Sequence, residues 1–173
     1  MARGESKMIT AVYPGSFDPV TLGHLNIIKR AANVFDKVIV CVMVNSEKSG
    51  IFTPEERVAL LRTAIDAENV EVDMSSGLLA DYAKRRGAKV VVKGLRAVSD
   101  FEAEVQMAVV NSKLNPELDT VFFPSDQRYA YLSSTVAREL ARYDAKLEDF
   151  LPREIIDTVR KKMEARRGER DGK

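Results

Sequence analysis

The sequence predicts a single α/β domain in which a parallel sheet of five strands is covered by helices on both faces. Short apolar runs rich in β-branched residues alternate along the chain with segments of helical periodicity, a pattern typical of βαβ units. The length of 173 residues matches one compact domain. A content of 45% hydrophobic and 31% charged residues is that of an ordinary globular protein. We therefore expect one domain without internal repeats.

The expected strands are short apolar runs that end at turn residues or polar loops. The run at residues 38–44 is apolar throughout, as expected for a strand covered on both faces. The first run ends at Pro14 and Gly15, which indicate a turn. The strands are expected at residues 8–13, 38–44, 70–72, 90–92 and 120–123.

The expected helices are marked by apolar spacing and by capping residues. Thr53 and Glu56 form a capping box with Pro54 at the first helical position. The fourth helix has an apolar side formed by Phe101, Val105, Ala108 and Val109. Helices are expected at residues 23–35, 54–66, 78–86 and 99–114, from Ser133 or Ser134 to Tyr143, and from Pro152 onward. Residues 1–7 are predicted to be a flexible extension, 8–160 the folded domain and 161–173 a charged, solvated tail.

Composition excludes several classes of function. Lys and Arg number 27 against 26 Asp and Glu, so the net charge of +1 gives no general attraction to nucleic acid or to an anionic membrane. The single cysteine, Cys41, excludes an internal disulfide and indicates a reducing cytosol. With His24 as the single histidine, there is no Cys/His zinc site. Carboxylates remain available for Mg²⁺, with substrate phosphates supplying the other ligands. No apolar run is long enough to cross a bilayer.

In a parallel sheet of this kind, ligands bind beyond the carboxyl ends of the strands, where the strand order reverses. After the first strand, Thr21, Gly23 and His24 lead into a helix, whose start presents free N–H groups that favour phosphate. Gly23 permits close approach of a ligand to the backbone, and His24 can donate a hydrogen bond without a full charge. Neither a Walker A loop nor a dinucleotide fingerprint is present. The alternative is an ordinary surface histidine beside a helix cap.

Polar residues also follow the other expected strands. Lys48 lies in the loop after the second strand, where a lone lysine is usually solvent-exposed. Lys93 and Arg96 flank Gly94 after the fourth strand, where they could hold anions or form a solvated turn. Three hydroxyl residues at 133–135 precede a helix, and they could bind phosphate or act as an N-cap.

Four stretches together resemble the bacterial phosphopantetheine adenylyltransferase family. They are residues 13–19 (YPGSFDP) with Thr21-x-Gly23-His24, residues 52–57 (F-T-x-E-E-R), residues 94–102 (GLRAVSDFE) and residues 133–135 (SST). The T-x-G-H motif is shared by many nucleotidylyltransferases, whereas the run at 94–102 narrows the resemblance to this family. The likeness extends from about residue 8 to about residue 161 and leaves both tails outside.

The resemblance implies a fold, a reaction and an assembly. The fold would be a Rossmann-like nucleotidyltransferase domain, usually assembled as a homohexamer in the cytoplasm. The reaction would transfer adenylyl from ATP to 4′-phosphopantetheine with Mg²⁺, giving dephospho-coenzyme A and pyrophosphate. This is the penultimate step of coenzyme A biosynthesis.

The resemblance also implies roles for individual residues. His24 would be catalytic, stabilising the transition state at the α-phosphate. Contacts to ATP would come from Ser16, Phe17, His24, Gly94, Leu95, Arg96, Glu104, Tyr129, Ala130, Tyr131, Leu132, Ser133, Ser134 and Thr135. Contacts to the acceptor would come from Ser16, Lys48, Leu79 and Lys93. No residue is assigned as a metal ligand.

Three positions depart from the family pattern. Ser16 stands where the family commonly has Thr, and Thr135 where it commonly has Ser, so that both hydroxyls are kept. Lys93 stands where the family usually has Arg. This exchanges a bidentate fork for a point charge and leaves open how the acceptor phosphate is held.

The expected chemistry needs no catalytic base, because a phosphate acceptor is already an anion at neutral pH. The protein has to align two anions and neutralise charge on the pentavalent centre and on the leaving pyrophosphate. The closest alternative is a related enzyme with another acceptor, such as nicotinate mononucleotide or glycerol phosphate. A non-catalytic nucleotide-binding module is a second alternative, and a redox domain is a third, although the glycine fingerprint of the latter is missing.

Overall fold

The computed structural model describes residues 8–45 and 50–171. The strands are β1 (Thr10–Gly15), β2 (Lys37–Val44), β3 (Val70–Ser76), β4 (Val90–Leu95) and β5 (Asp119–Pro124). The helices are α1 (Leu22–Ala32), α2 (Pro54–Ala64), α3 (Leu79–Arg85), α4 (Val98–Leu114), α5 (Ser134–Arg142) and α6 (Arg153–Asp171). Each of these elements overlaps a stretch for which the sequence predicts the same type.

The five strands form one parallel sheet with the order β3-β2-β1-β4-β5. The central strand β1 pairs with β2 on one side, where Ala11 lies opposite Val38, and with β4 on the other, where Ala11 lies opposite Val90. The chain therefore adds strands outward from β1 to β3 and then crosses back to β4. The strand order reverses between β1 and β4, which is where a ligand crevice is expected.

Helices cover both faces of the sheet, which confirms the predicted Rossmann-like α/β fold. Side chains alternate between the faces along each strand: Ala11 and Tyr13 of β1 belong to the larger core, and Val12 belongs to the smaller one. The larger core contains buried residues of α1, α2, α5 and α6. The smaller core contains residues of α3 and Leu118.

Several strand and helix boundaries differ from the expected ones, and β4 ends at Leu95, so that Lys93 and Gly94 lie within the strand rather than after it. Two further differences have a clear physical reason. Strand β3 continues past residue 72 to Ser76, because it is an edge strand and its polar residues have access to solvent. Helix α6 runs through residue 161, where a charged tail was expected to begin, and Met163 is buried in the larger core. A periodic apolar residue thus extends the packed part of this helix into a stretch that is otherwise charged.

Helix α4 exposes much of its apolar surface. Two residues of its predicted apolar side are largely exposed: Val109, and Phe101, whose ring still meets that of Phe122 in β5 edge-on at a centroid distance of 6.0 Å. The exposed apolar side chains of this helix are Val98, Phe101, Met107, Val109, Val110 and Leu114. A patch of this kind on a globular domain commonly marks an interaction surface. Within the described ranges, no helix has both the length and the apolar content that crossing a bilayer requires.

Candidate active site

The loop between β1 and α1 holds His24 in one orientation. Thr21 is the N-cap of α1, and its Oγ1 accepts a hydrogen bond from the backbone N–H of His24 at 3.3 Å. In return, the backbone N–H of Thr21 donates to Nδ1 of the His24 ring at 3.1 Å. Because Nδ1 accepts this bond, the ring proton of the neutral imidazole belongs on Nε2. His24 therefore takes the place that Glu or Gln has in the usual capping box.

The buried ring of Phe17 packs edge-on against the imidazole of His24. Its side chain is 1% exposed, and its ring meets those of His24 and Tyr13 edge-on at centroid distances of 5.0 Å and 5.4 Å. A Cβ atom at position 15 would lie 2.9 Å from the Phe17 ring, so Gly15 is required for this packing. Burial, together with the charge of Arg96, lowers the pKa of His24 to about 4. The imidazole is therefore neutral at neutral pH and presents an N–H donor rather than a cation.

A cavity of about 340 Å³ opens at the carboxyl ends of β1 and β4, the position that the strand order predicts. The structure brings eleven of the sequence-predicted site residues together around it. They are Ser16, His24, Lys93, Gly94, Arg96, Glu104, Tyr129, Leu132, Ser133, Ser134 and Thr135. His24 and Arg96, which lie 72 positions apart in the sequence, line the same space.

The cations of this cavity are ion-paired. The Lys93 ammonium lies 2.9 Å from the Glu104 carboxylate. Nε of Arg96 lies 3.1 Å from the Asp100 carboxylate, and Nη1 of Arg96 donates to the carbonyl oxygen of Leu132 at 3.2 Å. Asp100 and Glu104 are one turn apart on α4, which places one carboxylate beside Lys93 in β4 and the other beside Arg96 just after it.

Six of the sequence-predicted site residues are not among those that line the described cavity. Phe17 is buried beneath His24, and the ring of Tyr131 packs edge-on against Phe150 with a centroid distance of 5.8 Å. Lys48 lies in the 46–49 segment, outside the described residues. The other three, Leu79, Leu95 and Ala130, lie at the start of α3, at the end of β4 and after Tyr129. The substrate contacts expected of these six remain predictions.

Arg138 lines the cavity although it is not among the site residues predicted from the sequence. Its Nη2 donates to Oγ1 of Thr135 at 3.1 Å, and its Nη1 donates to the carbonyl oxygen of Asp18 at 2.5 Å. The signal that could have found it is the spacing: Arg138 follows Thr135 by three residues, which is one turn of α5. Asp100 and Tyr13 also line the cavity without having been selected.

The hydroxyl groups at the start of α5 are engaged in structure. Ser133 is the N-cap, and its Oγ accepts from the backbone N–H of Val136 at 3.1 Å. Oγ of Ser134 donates to the carbonyl oxygen of Pro19 at 2.8 Å, which ties α5 to the loop after β1. The two interpretations of residues 133–135, as an N-cap and as a phosphate-binding group, are compatible, because the N-cap residue Ser133 also lines the cavity.

The cavity offers few ligands for a metal. Within the described part of the chain, no group of three or more His, Cys, Asp and Glu side chains is placed to hold a metal ion. The carboxylates that line the cavity are Asp100 and Glu104, each paired with a cation. This donor set fits Mg²⁺ only in the mode in which substrate phosphates supply most of the oxygen ligands.

Comparison with known proteins places this geometry among nucleotidyltransferases. The Cytidylyltransferase-like family model matches residues 12–140. The phosphopantetheine adenylyltransferase of Alkaliphilus metalliredigens is 51% identical over 156 residues, covering 90% of this chain and 99% of that protein. The phosphopantetheine adenylyltransferase of Clostridium botulinum strain 657 is 51% identical over 157 residues, covering 90% and 96%.

More distant relatives share the fold. A bifunctional NMN adenylyltransferase/ADP ribose pyrophosphatase from Francisella tularensis superposes with a TM-score of 0.71 at 16% identity, over 91% of this chain and 50% of that chain. The nicotinic acid mononucleotide adenylyltransferase of Plasmodium falciparum, complexed with NaAD, superposes with a TM-score of 0.63 at 15% identity, over 89% and 95%. At these identities the likeness is one of fold alone.

Proposed function

Because this chain belongs to the phosphopantetheine adenylyltransferase family, we propose that it transfers the adenylyl group of ATP reversibly to 4′-phosphopantetheine. The products are dephospho-coenzyme A and pyrophosphate, in the penultimate step of coenzyme A biosynthesis. The observation that carries the proposal is the joint presence of His24 and Arg96 at one cavity at the reversal of strand order. A neutral N–H donor and a guanidinium there suit the charge that develops on a transferring phosphoryl group.

The reaction is a direct in-line attack of an acceptor phosphate oxygen on the α-phosphorus of ATP, with pyrophosphate as the leaving group. The attacking oxygen is an anion, so no side chain has to remove a proton. Nε2–H of His24 donates to a non-bridging oxygen of the α-phosphate, where charge increases in the pentavalent state. No covalent intermediate forms, and Cys41 is buried within β2, away from the cavity lining.

The triphosphate of ATP is assigned to the side of the cavity that holds Arg96, Arg138 and the start of α5. A helix start presents free backbone N–H groups and a partial positive charge to an anion. The Ser133 and Ser134 hydroxyls are already bonded within the protein, so their contribution to ATP is assigned to the backbone. Gly94, Leu95, Glu104 and residues 129–132 are proposed to contact the rest of the nucleotide, as the family resemblance implies.

The acceptor phosphate is assigned to Lys93, with Ser16 beside it in the same cavity. Lys48 is proposed as its second cation and Leu79 as a contact of the pantetheine arm, both on the resemblance alone. For Lys93 to reach a phosphate, its ion pair with Glu104 must open. Dephospho-coenzyme A, and coenzyme A as its close relative, would occupy the same space as products or product analogues.

Mg²⁺ is proposed as the metal, held chiefly by phosphate oxygens of the nucleotide. Asp100 and Glu104 are the carboxylates at the cavity that would approach it. The bound ion would supply charge neutralisation on the triphosphate. The chain's own cations, Arg96 and Arg138, share that task.

We also propose that the protein assembles as a homohexamer in the cytoplasm, without a nucleic-acid or membrane partner. The exposed apolar side of α4 supports association with further copies. The number of six rests on the family resemblance, and the cytoplasm on the single reduced cysteine. Light scattering of the purified chain measures the mass of the assembly.

The experiment that tests the function is a pyrophosphate-release assay across three acceptors. The purified protein is given ATP with 4′-phosphopantetheine, nicotinate mononucleotide or glycerol phosphate, each with and without Mg²⁺. We expect release with 4′-phosphopantetheine and Mg²⁺ only. Release with another acceptor would reassign the substrate, and ATP binding without release under every condition would show a non-catalytic nucleotide-binding module.

A further inference from the structure

Asp18 carries a buried carboxylate that lies behind the cavity lining rather than in it. Asp18 is 5% exposed and is not among the residues that line the cavity. Its Oδ2 accepts from the backbone N–H of Ile51, and its Oδ1 accepts from the backbone N–H of Phe52, both at 2.9 Å. Asp18 thus bonds the loop after β1, which carries Ser16, to the chain just before α2.

Arg57 of α2 completes the connection. Nε of Arg57 lies 3.4 Å from Oδ1 of Asp18 and donates to the carbonyl oxygen of Phe52 at 2.9 Å. Its Nη1 donates to the carbonyl oxygen of Ser16 at 3.3 Å. A single guanidinium therefore joins the backbone of a predicted substrate-binding residue to the backbone at position 52.

Gly50 shows how tightly the chain approaches this pair. A Cβ atom at position 50 would lie 1.7 Å from Nη2 of Arg57 and 2.8 Å from Oδ2 of Asp18. Only glycine fits there, because any larger residue would have to displace the guanidinium or the carboxylate. The close approach fixes the chain two residues after Lys48 in the sequence.

Asp18 also contacts α5, which carries a residue of the cavity lining. Nη1 of Arg138, which lines the cavity, donates to the carbonyl oxygen of Asp18 and lies 3.6 Å from Oδ2 of the same residue. Asp18 therefore joins its own loop after β1 to residues 51–52 and to α5.

We propose that Asp18 and Arg57 are positioning residues, which hold residues 50–52 in a fixed relation to Ser16 and Arg138 and so align the acceptor with ATP. This inference rests on the proposed function. A buried ion pair is poorly explained by stability, since an apolar replacement of similar size is often equally stable or more so. The hydrogen bonds of this pair to four backbone groups, the N–H groups of Ile51 and Phe52 and the carbonyl oxygens of Phe52 and Ser16, instead specify one geometry.

The test is Asp18→Asn, with Asp73→Asn as the matched control. The amide N–H₂ of Asn would face a backbone N–H, so that at least one of the bonds to Ile51 or Phe52 is lost. Asp73 also accepts a backbone N–H, and its Oδ2 lies 2.5 Å from Arg86, but it lies in β3 outside the cavity. We expect the KM for 4′-phosphopantetheine to rise about tenfold in Asp18→Asn, the effect of losing one hydrogen bond to a charged group.

Two further readouts separate positioning from a loss of fold. The KM for ATP should change by less than about threefold, and amide exchange at Ile51 and Phe52 should accelerate while that of β1 and β2 is retained. Gly50→Ala, which pushes on Arg57 from the other side, should reproduce the rise in acceptor KM with Asp18 intact. The Asp73→Asn control should leave both KM values unchanged.

An acceptor KM within twofold of the parent in a folded Asp18→Asn protein would overturn the proposal. So would equal rises in both KM values together with faster exchange throughout the sheet, because that pattern indicates a general structural role. If the parent protein releases no pyrophosphate with 4′-phosphopantetheine, the proposed function has failed instead. Amide exchange at positions 51 and 52 then still decides whether Asp18 holds this segment.

Discussion

The two walls of the cavity differ in charge and in how their side chains are held in place. The neutral wall, formed by Thr21 and His24, is held by a reciprocal hydrogen-bonded cap and by the contact of the His24 imidazole with the buried ring of Phe17 behind it. The charged wall, formed by Lys93, Arg96, Asp100 and Glu104, consists of two ion pairs whose side chains are partly exposed. One wall has a fixed donor, and the other has cations that are occupied by carboxylates.

Because the two walls hold their side chains differently, we expect one to stabilise the transition state and the other to bind substrate. A donor that is already oriented needs no reorganisation when charge develops, so the neutral wall suits the transition state. Under the proposed function, the cations of the charged wall would exchange a carboxylate for a phosphate when substrate enters. Partly exposed ion pairs of this kind are weak enough to be exchanged. We therefore expect changes in the neutral wall to lower kcat and changes in the charged wall to alter substrate binding.

The largest effect is expected from His24→Ala. Loss of the Nε2–H donor removes an interaction that strengthens only in the transition state, so kcat should fall by at least about 10²-fold. The dissociation constant for ATP, measured by calorimetry, should remain close to that of the parent. A kcat near the parent value would remove His24 from the mechanism and end the distinction between the two walls.

A smaller effect is expected from Arg96→Met. The substitution removes a cation and leaves Asp100 without its partner, so the dissociation constant for ATP should rise about tenfold or more, while kcat falls less than in His24→Ala. Adding Asp100→Asn to this variant should restore part of the affinity, because it removes the unpaired negative charge. An unchanged affinity for ATP in Arg96→Met would show that the charged wall does not bind the nucleotide.

The smallest effect is expected from Lys93→Arg. A guanidinium can keep the ion pair with Glu104 and can also hold a phosphate with two hydrogen bonds. The KM for the acceptor should therefore stay within about threefold of the parent or fall, as steady-state kinetics would measure. A rise well beyond that range would show that the shape of the ammonium itself is required.

The sequence predicted the sheet because local signals agreed with the global fold. The apolar runs that form β2 and β4 are buried on both faces, and the capping box at Thr53 appears as expected. Both the position of the cavity and the meeting of His24 with Arg96 followed from one rule, that parallel strands present their carboxyl ends at the same edge. These features depend on short-range patterns or on topology.

Features that depend on long-range packing were not predictable in this way. The contact of Asp18 with Ile51 and Phe52 spans more than thirty residues, and no periodic pattern marks it. The burial of Phe17 depends on the positive φ of 45° at that residue and on the absence of a side chain at Gly15. The capping role of His24 was missed because histidine is not the usual partner of an N-cap threonine.

The mechanism depends on His24 acting as a neutral donor through Nε2. Nuclear magnetic resonance of the imidazole nitrogens measures both the tautomer and the pKa of this ring. His24 is the single histidine of the chain, so its signals need no separation from others. Burial and Arg96 lower the pKa of His24. An unfolded chain would therefore take up the proton below about pH 6.5, whereas the folded protein should take it up only near pH 4. We expect the Nε2–H tautomer and a pKa near 4. An Nδ1–H tautomer, or a pKa at or above the ordinary histidine value, would show that His24 is not a neutral donor through Nε2.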